Sequence, residues 1–559
     1  MRVSHQIIGL LVVGTLTAGG MAKDDAVPAL KAPTGLVAEG HDSRIDLVWD
    51  RVGQDDLQYW NVYRSEMVDG PWQKLNKRPH TIHVYSDFVG ENDKTYHYRI
   101  TRIARADGQT STSKGEPLQG NWGTWEESAP SATVTATTVA MNEDEWLDSI
   151  QKAFFRYFWD FGHPVSGLAR EGFFHGRNTV TTGGTGFGMI TIMVGAERGF
   201  ITREQAAERL LKMVTFLEEK ATRYHGIWPH HLRGDTGETL PFAGETDNGG
   251  DIVETAFLLE GMLTVREYFD QDNPTENELR ERITRLWNEA EWDWYQQAGD
   301  KHLTWHWSKD HGFKRDHKIG GFNECMIAYL LGMASPTHAI PPDSYYLGWV
   351  GNPKYYANGK SYFDIKQPVG YAMGGPLFFT HYSYLGLDPH ALNDAFTNYF
   401  DNNRAISLIN RAYCAANPRH HVGYSDLVWG LTASLNPYNY GAHQPDSDAD
   451  NGTIAPTAAI SAMPYTPAES LATLREFYYG MGQELWGAFG FYDAFNEGAD
   501  WVAPSFLAID QGPVTPMIEN HRTGLPWKMF MKSDVAAAIV AKLNEATENY
   551  QATREAQFP

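Results

Sequence analysis

The sequence predicts a mainly α protein, an (α/α)6-barrel domain preceded by a small all-β sandwich domain. Three observations carry this. Residues 32–137 alternate apolar and polar side chains with period two, between turn residues at sandwich-like spacing. From residue 144 to about 550 the apolar period becomes helical. The twelve helical segments there alternate between those with a charged outer face and those apolar or small nearly all round, as two concentric rings require.

The chain opens MRVSHQIIGLLVVGTLTAGGMAKDD. Arg2 and His5 form a basic start, Ile7 to Leu16 a short apolar run, and Gly20-Met21-Ala22 a small-residue cleavage site. Residues 1–22 are therefore expected to be a signal peptide, too short to span a bilayer, so the mature chain is expected to be periplasmic or secreted. No later run is apolar enough to cross a membrane. Next come APTGLVAEGHDSRIDLVWD, YWNVYRS, PWQKLN, TYHYRITRI and SATVTATT, a succession that resembles a fibronectin type III module. The resemblance implies Trp49 in the inner core and Tyr96 or Tyr98 as the corner tyrosine. Met141 to Trp146 reads as the junction to the first helix, EWLDSIQKAFFRYFWDF, with Ile150, Phe154, Tyr157 and Phe158 on one side. Further helices are expected over 187–197, 202–221, 251–270, 275–297, 322–334, 370–385, 389–412, 454–462, 467–485, 511–522 and 534–547. Long loops rich in Trp, Tyr, His and Asp precede the apolar helices, so they should converge on one rim.

Composition narrows the function. A formal charge of −23 over 559 residues disfavours nucleic acid and polyanionic polysaccharides as partners. Aromatic residues reach 13%, with 18 Trp, which is compatible with platforms for sugar rings. Only Cys325 and Cys414 are present, too few for a disulfide scaffold. The histidines lack zinc-site spacing, and no nucleophile elbow or phosphate loop appears, so neither a metal site nor phosphate binding is expected. The glycine-rich TTGGTGFG reads as a close-packed helix entry.

Four acidic constellations carry the chemistry. In GETDNGGDIVETAF, Asp251 and Glu254 match a helix cap; if the helix starts near Thr246, Asp247 shares their face, and three acids there repel one another. Such crowding raises one carboxyl pKa and creates a protonated acid beside an ionised base, as glycoside hydrolysis by inversion needs. In GGFNECMIAYLL, Asn323 and Glu324 open a helix with hardly another polar group, either as a cap or as a buried functional acid. DSDADNGT, with Asp450 and Asn451, fails as a calcium loop and reads as a site-lining loop or an acidic turn. In DQGPVTPMIENHRTGLPWKMF, Asp510, Gln511, Glu519, Asn520 and Arg522 read as a buried network closing the last helices onto the first.

The ordered set TTGGTGFG, ETDNGGDIVETAF, FNECMIAYLL, IAPTAAISAMPYTP and IDQGPVTPMIENHRTG resembles the glycoamylase-like domain of bacterial glycoside hydrolase family 144, over about 144–550. The resemblance implies an (α/α)6 barrel hydrolysing β-1,2-glucan, a neutral polymer, with inversion and no cofactor. It carries the family acids onto Asp247, Asp251, Glu254 and Glu324. Glu324 or Glu254 is then the expected proton donor, with Asp251 on the water side and Asp247 tuning the pair or holding a hydroxyl. Trp228, Trp305, Trp307 and Trp349 are expected to stack on glucose rings, and Asp450 and Asn451 to bind substrate. Cleavage inside the chain and sophorose release from an end are equally compatible with the sequence. A polysaccharide lyase and a non-catalytic glycan-binding protein are the rival classes.

Overall fold

The computed structural model describes residues 30–51, 58–105, 124–173 and 175–557. The expected signal peptide lies outside the described residues.

The amino-terminal region is all β. Strands β1 (Val37–His41), β2 (Arg44–Val48) and β5 (Val84–Phe88) form one antiparallel sheet. The other sheet holds β3 (Tyr59–Ser65), β4 (Gln73–Lys74), β6 (Thr95–Arg105), β7 (Trp125–Glu127) and β8 (Val134–Thr137). Period-two alternation turns Ile45, Leu47, Trp60, Val62, Tyr98 and Ile100 into one core cluster, with Trp49 edge-on to Trp60 at 5.6 Å. Of the two tyrosines Tyr98 is the fully buried one, and its hydroxyl donates to Asp87 on the opposite sheet at 2.8 Å.

A helix-rich region follows. Its first helix, α1 (Glu143–Trp159), starts at a capping box in which Asn142 and Glu145 satisfy each other's backbone N–H groups. Next come α2 (Thr182–Glu197), α3 (Arg203–Glu219), α4 (Ile252–Tyr268), α5 (Pro274–Asn288) and α6 (Met326–Ala334). The other α-helices of six residues or more among the described residues are α7 (Tyr399–Ala416), α8 (Pro456–Ser461), α9 (Pro467–Arg475), α10 (Val514–Arg522), α11 (Leu525–Met531) and α12 (Asp534–Gln557). α2 and α4 are buried along nearly their whole length, whereas α3 and α5 bury one stripe. The glycine-rich stretch is itself the start of α2, five residues earlier than its apolar period predicts. A Cβ on Gly186 would sit 2.2 Å from the Phe257 carbonyl oxygen, and one on Gly261 2.1 Å from that of Gly186, so α2 and α4 cross backbone to backbone.

The expected helix at 370–385 is absent. Met373, Gly374 and Gly375 take left-handed backbone angles before Pro376, leaving only short 3-10 turns at Ala372–Gly374 and Leu377–Thr380. Cys325 and Cys414 are both buried free thiols. Glu519 ties α10 to α2 through Arg198 at 2.8 Å and to α1 through Gln151 at 3.1 Å, the closing network read from the sequence. Among the described residues no helix is long and apolar enough to cross a membrane.

The β region is fastened to the helices. Arg44, fully buried, donates to the Tyr478 hydroxyl at 2.7 Å and to the Ser149 carbonyl at 2.8 Å, and lies over the Trp486 ring at 4.7 Å. Ile82 and Val84 share a core cluster with Tyr157, Phe161, Phe489 and Phe506. Arg177 donates to the Thr81 carbonyl at 3.0 Å. The edge of the β region thus braces the 170–180 segment, which carries Glu171 and His175.

Candidate active site

The opening turn of α4 is built by glycines. Gly250–Asp251 pairs antiparallel with His306–Trp307, and a Cβ on Gly249 would stand 2.0 Å from the Trp307 carbonyl oxygen. Asp251 caps α4. One of its carboxylate oxygens accepts from the Val253 and Glu254 N–H groups at 3.0 Å and from the Trp305 indole at 2.9 Å. The other faces His230 Nδ1 at 3.3 Å and His306 Nδ1 at 3.6 Å. Glu254, in the first turn, accepts the Gly183 N–H from the start of α2 at 2.7 Å and lies 3.9 Å from His230.

Glu324 comes from the segment before α6. Asn323 accepts the Cys325 N–H at 2.9 Å, and the Glu324 carbonyl accepts the Ser383 hydroxyl, so the backbone on both sides of the carboxyl is fixed. Glu254 and Glu324 line one cavity of about 470 Å³. Glu171, His230, Trp305 and Tyr382 add polar edges, and Phe257, Phe378, Leu507 and Ile509 an apolar wall.

The acids are electrostatically unequal. Burial pushes Asp251 up, but the hydrogen bond from His230 and the charges of His306 and His230 outweigh it and hold Asp251 below the usual carboxylate range. Burial pushes Glu254 up to about 7, with His230 opposing and Asp251 adding to the rise. Burial likewise pushes Glu324 up to about 7, opposed only by neutral hydrogen bonds. For His230, burial is overcome by the charges of Glu254, Asp251 and Glu171, which raise it to about 10. Two carboxyls that hold protons near neutrality therefore share a cavity with a protonated His230, which Asp251 backs from outside the lining.

The other expected site residues separate. Trp305 lines the cavity, stacked at 5.0 Å on His317. Trp228 is fully buried with its indole on the Leu217 carbonyl, and Trp349 is fully buried with its indole on the Tyr356 hydroxyl, so neither has a free ring face. Trp307 packs against Tyr224 and His225 and does not line the cavity. Asp450 is buried beneath the Tyr413 and Tyr424 hydroxyls, each at 2.7 Å, and Asn451 lies beside it outside the cavity lining. Asp247 is buried 3.3 Å from His306, behind Asp251. Among the described residues, no cluster of three or more His, Cys, Asp or Glu side chains is arranged to hold a metal.

Several cavity residues escape the sequence reading. Glu171 pairs with His231 at 3.2 Å. Phe242 stacks on His230 at 3.8 Å. Tyr440, 49% exposed, projects from a hairpin of Ala433–Leu435 and Tyr440–Ala442. Tyr382 donates to Asp510 at 3.1 Å, and Asp510 is hydrogen-bonded to Asp493, so two buried acids stand behind the wall. The sequence carries PHH at 229–231 and NPYNYG at 436–441, but nothing local says which way those loops turn.

Comparison with known proteins decides the family. The glycoamylase family model, described as putative glucoamylase, matches residues 316–534. An exo β-1,2-glucooligosaccharide sophorohydrolase (non-reducing end) of Parabacteroides distasonis is 43% identical over 524 residues, 90% of this chain and 70% of its own. The chain belongs to the glycoamylase-like enzymes of glycoside hydrolase family 144. The crystal structure of β-1,2-glucanase from Parabacteroides distasonis superposes with a TM-score of 0.85 at 42% identity, over 93% of this chain and 74% of that one. An endo-β-1,2-glucanase from Chitinophaga pinensis, in complex with sophorotriose and glucose, gives 0.70 at 45% identity, over 72% of this chain and 98% of that one.

Proposed function

We propose that this glycoside hydrolase cleaves β-1,2-glucan with inversion and releases sophorose from the non-reducing end. The carrying observation is the cavity in which Glu254 and Glu324, both held near pKa 7, meet from two different helix starts. Glu324 is assigned as the proton donor: burial raises its carboxyl to about 7, and no cation stands among the groups around it, whereas His230 lies 3.9 Å from Glu254. Glu254, whose ionised form the His230 imidazolium stabilises at 3.9 Å, takes the proton of the attacking water. As the water oxygen bonds the anomeric carbon, the glycosidic bond breaks, and the leaving oxygen takes the Glu324 proton. Asp251, expected on the water side, has both oxygens engaged and instead helps Glu254 and Glu171 to hold His230 charged. Trp305 and Tyr440 offer ring faces to the sugars.

End-cleavage is supported from two sides. Identity to the exo-acting relative runs over 90% of this chain, whereas the endo-acting one fits almost whole within 72% of it. The β region braces the segment carrying Glu171 and His175, as a wall closing one end of the cleft would. We also propose that the helices from Glu143 onward close as an (α/α)6 barrel, with fully buried α2 and α4 inside and half-buried α3 and α5 outside. Domain limits of 32–137 and 144–550, and export through a leader at 1–22, complete this reading; a neutral extracellular polymer as substrate fits them.

The test is incubation with linear β-1,2-glucan beside β-1,3- and α-1,4-glucan controls. Sophorose as sole early product, born as the α-anomer by NMR, is expected. A ladder of lengths would overturn end-cleavage, and no release from β-1,2-glucan would overturn the function.

A further inference from the structure

A second concavity, of about 300 Å³, lies on the Glu324 side of the molecule. Its floor includes Gly320, Gly321, Gly348 and Gly351. Two of these glycines are demanded by the fold. A Cβ on Gly348 would stand 2.1 Å from the Lys301 carbonyl oxygen, and Gly321 takes φ +80°. At Gly321 a Cβ would meet nothing within 4 Å, so the bare backbone there faces open space.

Tyr355 and Tyr371 stand along this groove, 85% and 55% exposed. Tyr355 is held outward because its neighbour Tyr356 turns into the core, where it accepts the Trp349 indole N–H at 3.0 Å. Tyr371 is fixed by its carbonyl, which accepts from Gln367 at 2.6 Å, and by packing on Phe379 at 6.0 Å. His302 is the one ionisable side chain other than tyrosine in the lining, which holds no carboxylate, lysine or arginine on a protein of formal charge −23. Bare backbone, two exposed rings and little charge suit a neutral polyhydroxylated chain, whose apolar ring faces stack on aromatics.

The groove and the catalytic cavity are lined by neighbouring segments. Phe322 lines the groove and Glu324 the cavity, two residues and at most ~7 Å of backbone apart. Tyr371 packs on Phe379, whose neighbour Phe378 lines the cavity. Glu324, as proton donor, faces the leaving oxygen, so the departing part of the substrate must extend on its side. We infer that the Tyr355–Tyr371 groove binds the reducing-end portion of a β-1,2-glucan chain while its non-reducing end is cleaved. The inference rests on the proposed function and adds a site that grips long substrates.

Two measurements test it. In the first, kcat/KM is taken for linear β-1,2-glucan and for the trisaccharide sophorotriose, and their ratio is compared between wild type and Tyr355→Ala/Tyr371→Ala. A roughly tenfold fall of the ratio is expected, with most of it restored by Tyr355→Phe/Tyr371→Phe, which keep the ring faces. An unchanged ratio, or an equal fall on both substrates, would overturn the groove while leaving the function standing. In the second, Glu324→Gln protein is run in native gels containing linear β-1,2-glucan. Retardation that weakens when both tyrosines become alanine is expected, and equal retardation would overturn the groove. Neither cleavage nor retardation in any form of the protein would overturn both proposals together.

Discussion

Replacing Glu324 by Gln keeps the side chain's size and removes its proton. With the carboxyl pushed up to about 7 by burial, half of the molecules carry the proton at pH 7. Above that, the protonated fraction falls tenfold per pH unit, and with Glu254 ionising over the same range wild-type kcat/KM at pH 9 should lie about 25-fold below its maximum near pH 7. General-acid assistance contributes about 10²–10⁴ in rate. Turnover of linear β-1,2-glucan by Glu324→Gln should therefore drop by about that factor at pH 6, followed as sophorose released on a chromatograph. A 2,4-dinitrophenyl β-sophoroside needs no proton on its leaving oxygen. Its hydrolysis, read by absorbance, should fall less than about tenfold, and the alkaline limb should disappear. Equal losses on both substrates, or an alkaline limb that survives the substitution, would refute the assignment of the donor.

Other expectations follow from burial alone. Glu260, fully buried in α4, accepts the Gly386 and Leu387 N–H groups, and burial pushes it from 4.5 up to about 8. A carboxyl raised on folding contributes stability that is complete below pH 4.5 and lost as pH rises through 8; at about 1.4 kcal/mol per pH unit this comes to about 5 kcal/mol. Glu260→Gln should flatten the decline of urea-unfolding free energy between pH 5 and 9, and parallel curves for the two proteins would contradict the sign. Arg44→Met leaves Asp46 and the Tyr478 hydroxyl without their shared partner and should cost about 3–5 kcal/mol, measured as a lowered urea midpoint with earlier proteolytic release of the β region. An unchanged midpoint would mean that Arg44 does not hold the two regions together.

The parts of this protein that were legible in its sequence are those fixed by local rules. The Asn142–Glu145 box, the Asp251 cap and the period-two pattern of Ile45, Leu47 and Trp49 all act within a few residues. The helix misread at 370–385 had the apolar content of one, but Gly374, Gly375 and Pro376 set its backbone by conformational freedom rather than hydrophobicity. For the site, motif spacing brought Glu254 and Glu324 to one cavity, because each opens a helix whose start is pinned. It failed for Trp228, Trp349 and Asp450: a tryptophan in a long loop looks the same whether it meets solvent or fills the core, and only tertiary packing decides. Tyr440 and the Tyr382–Asp510 contact depend on segments far apart in the chain, beyond any local signal.

The nearness of α2 and α4 has a mechanical meaning. Gly183 hands its N–H to Glu254 at one end of the crossing, while Gly186 and Gly261 interlock farther along the same pair of helices. Sliding one helix against the other would lengthen that hydrogen bond and let the Glu254 proton affinity climb. The acid limb of the rate profile then serves as a strain gauge: mild loosening of the interior should register as a drift toward alkaline pH before any unfolding is visible.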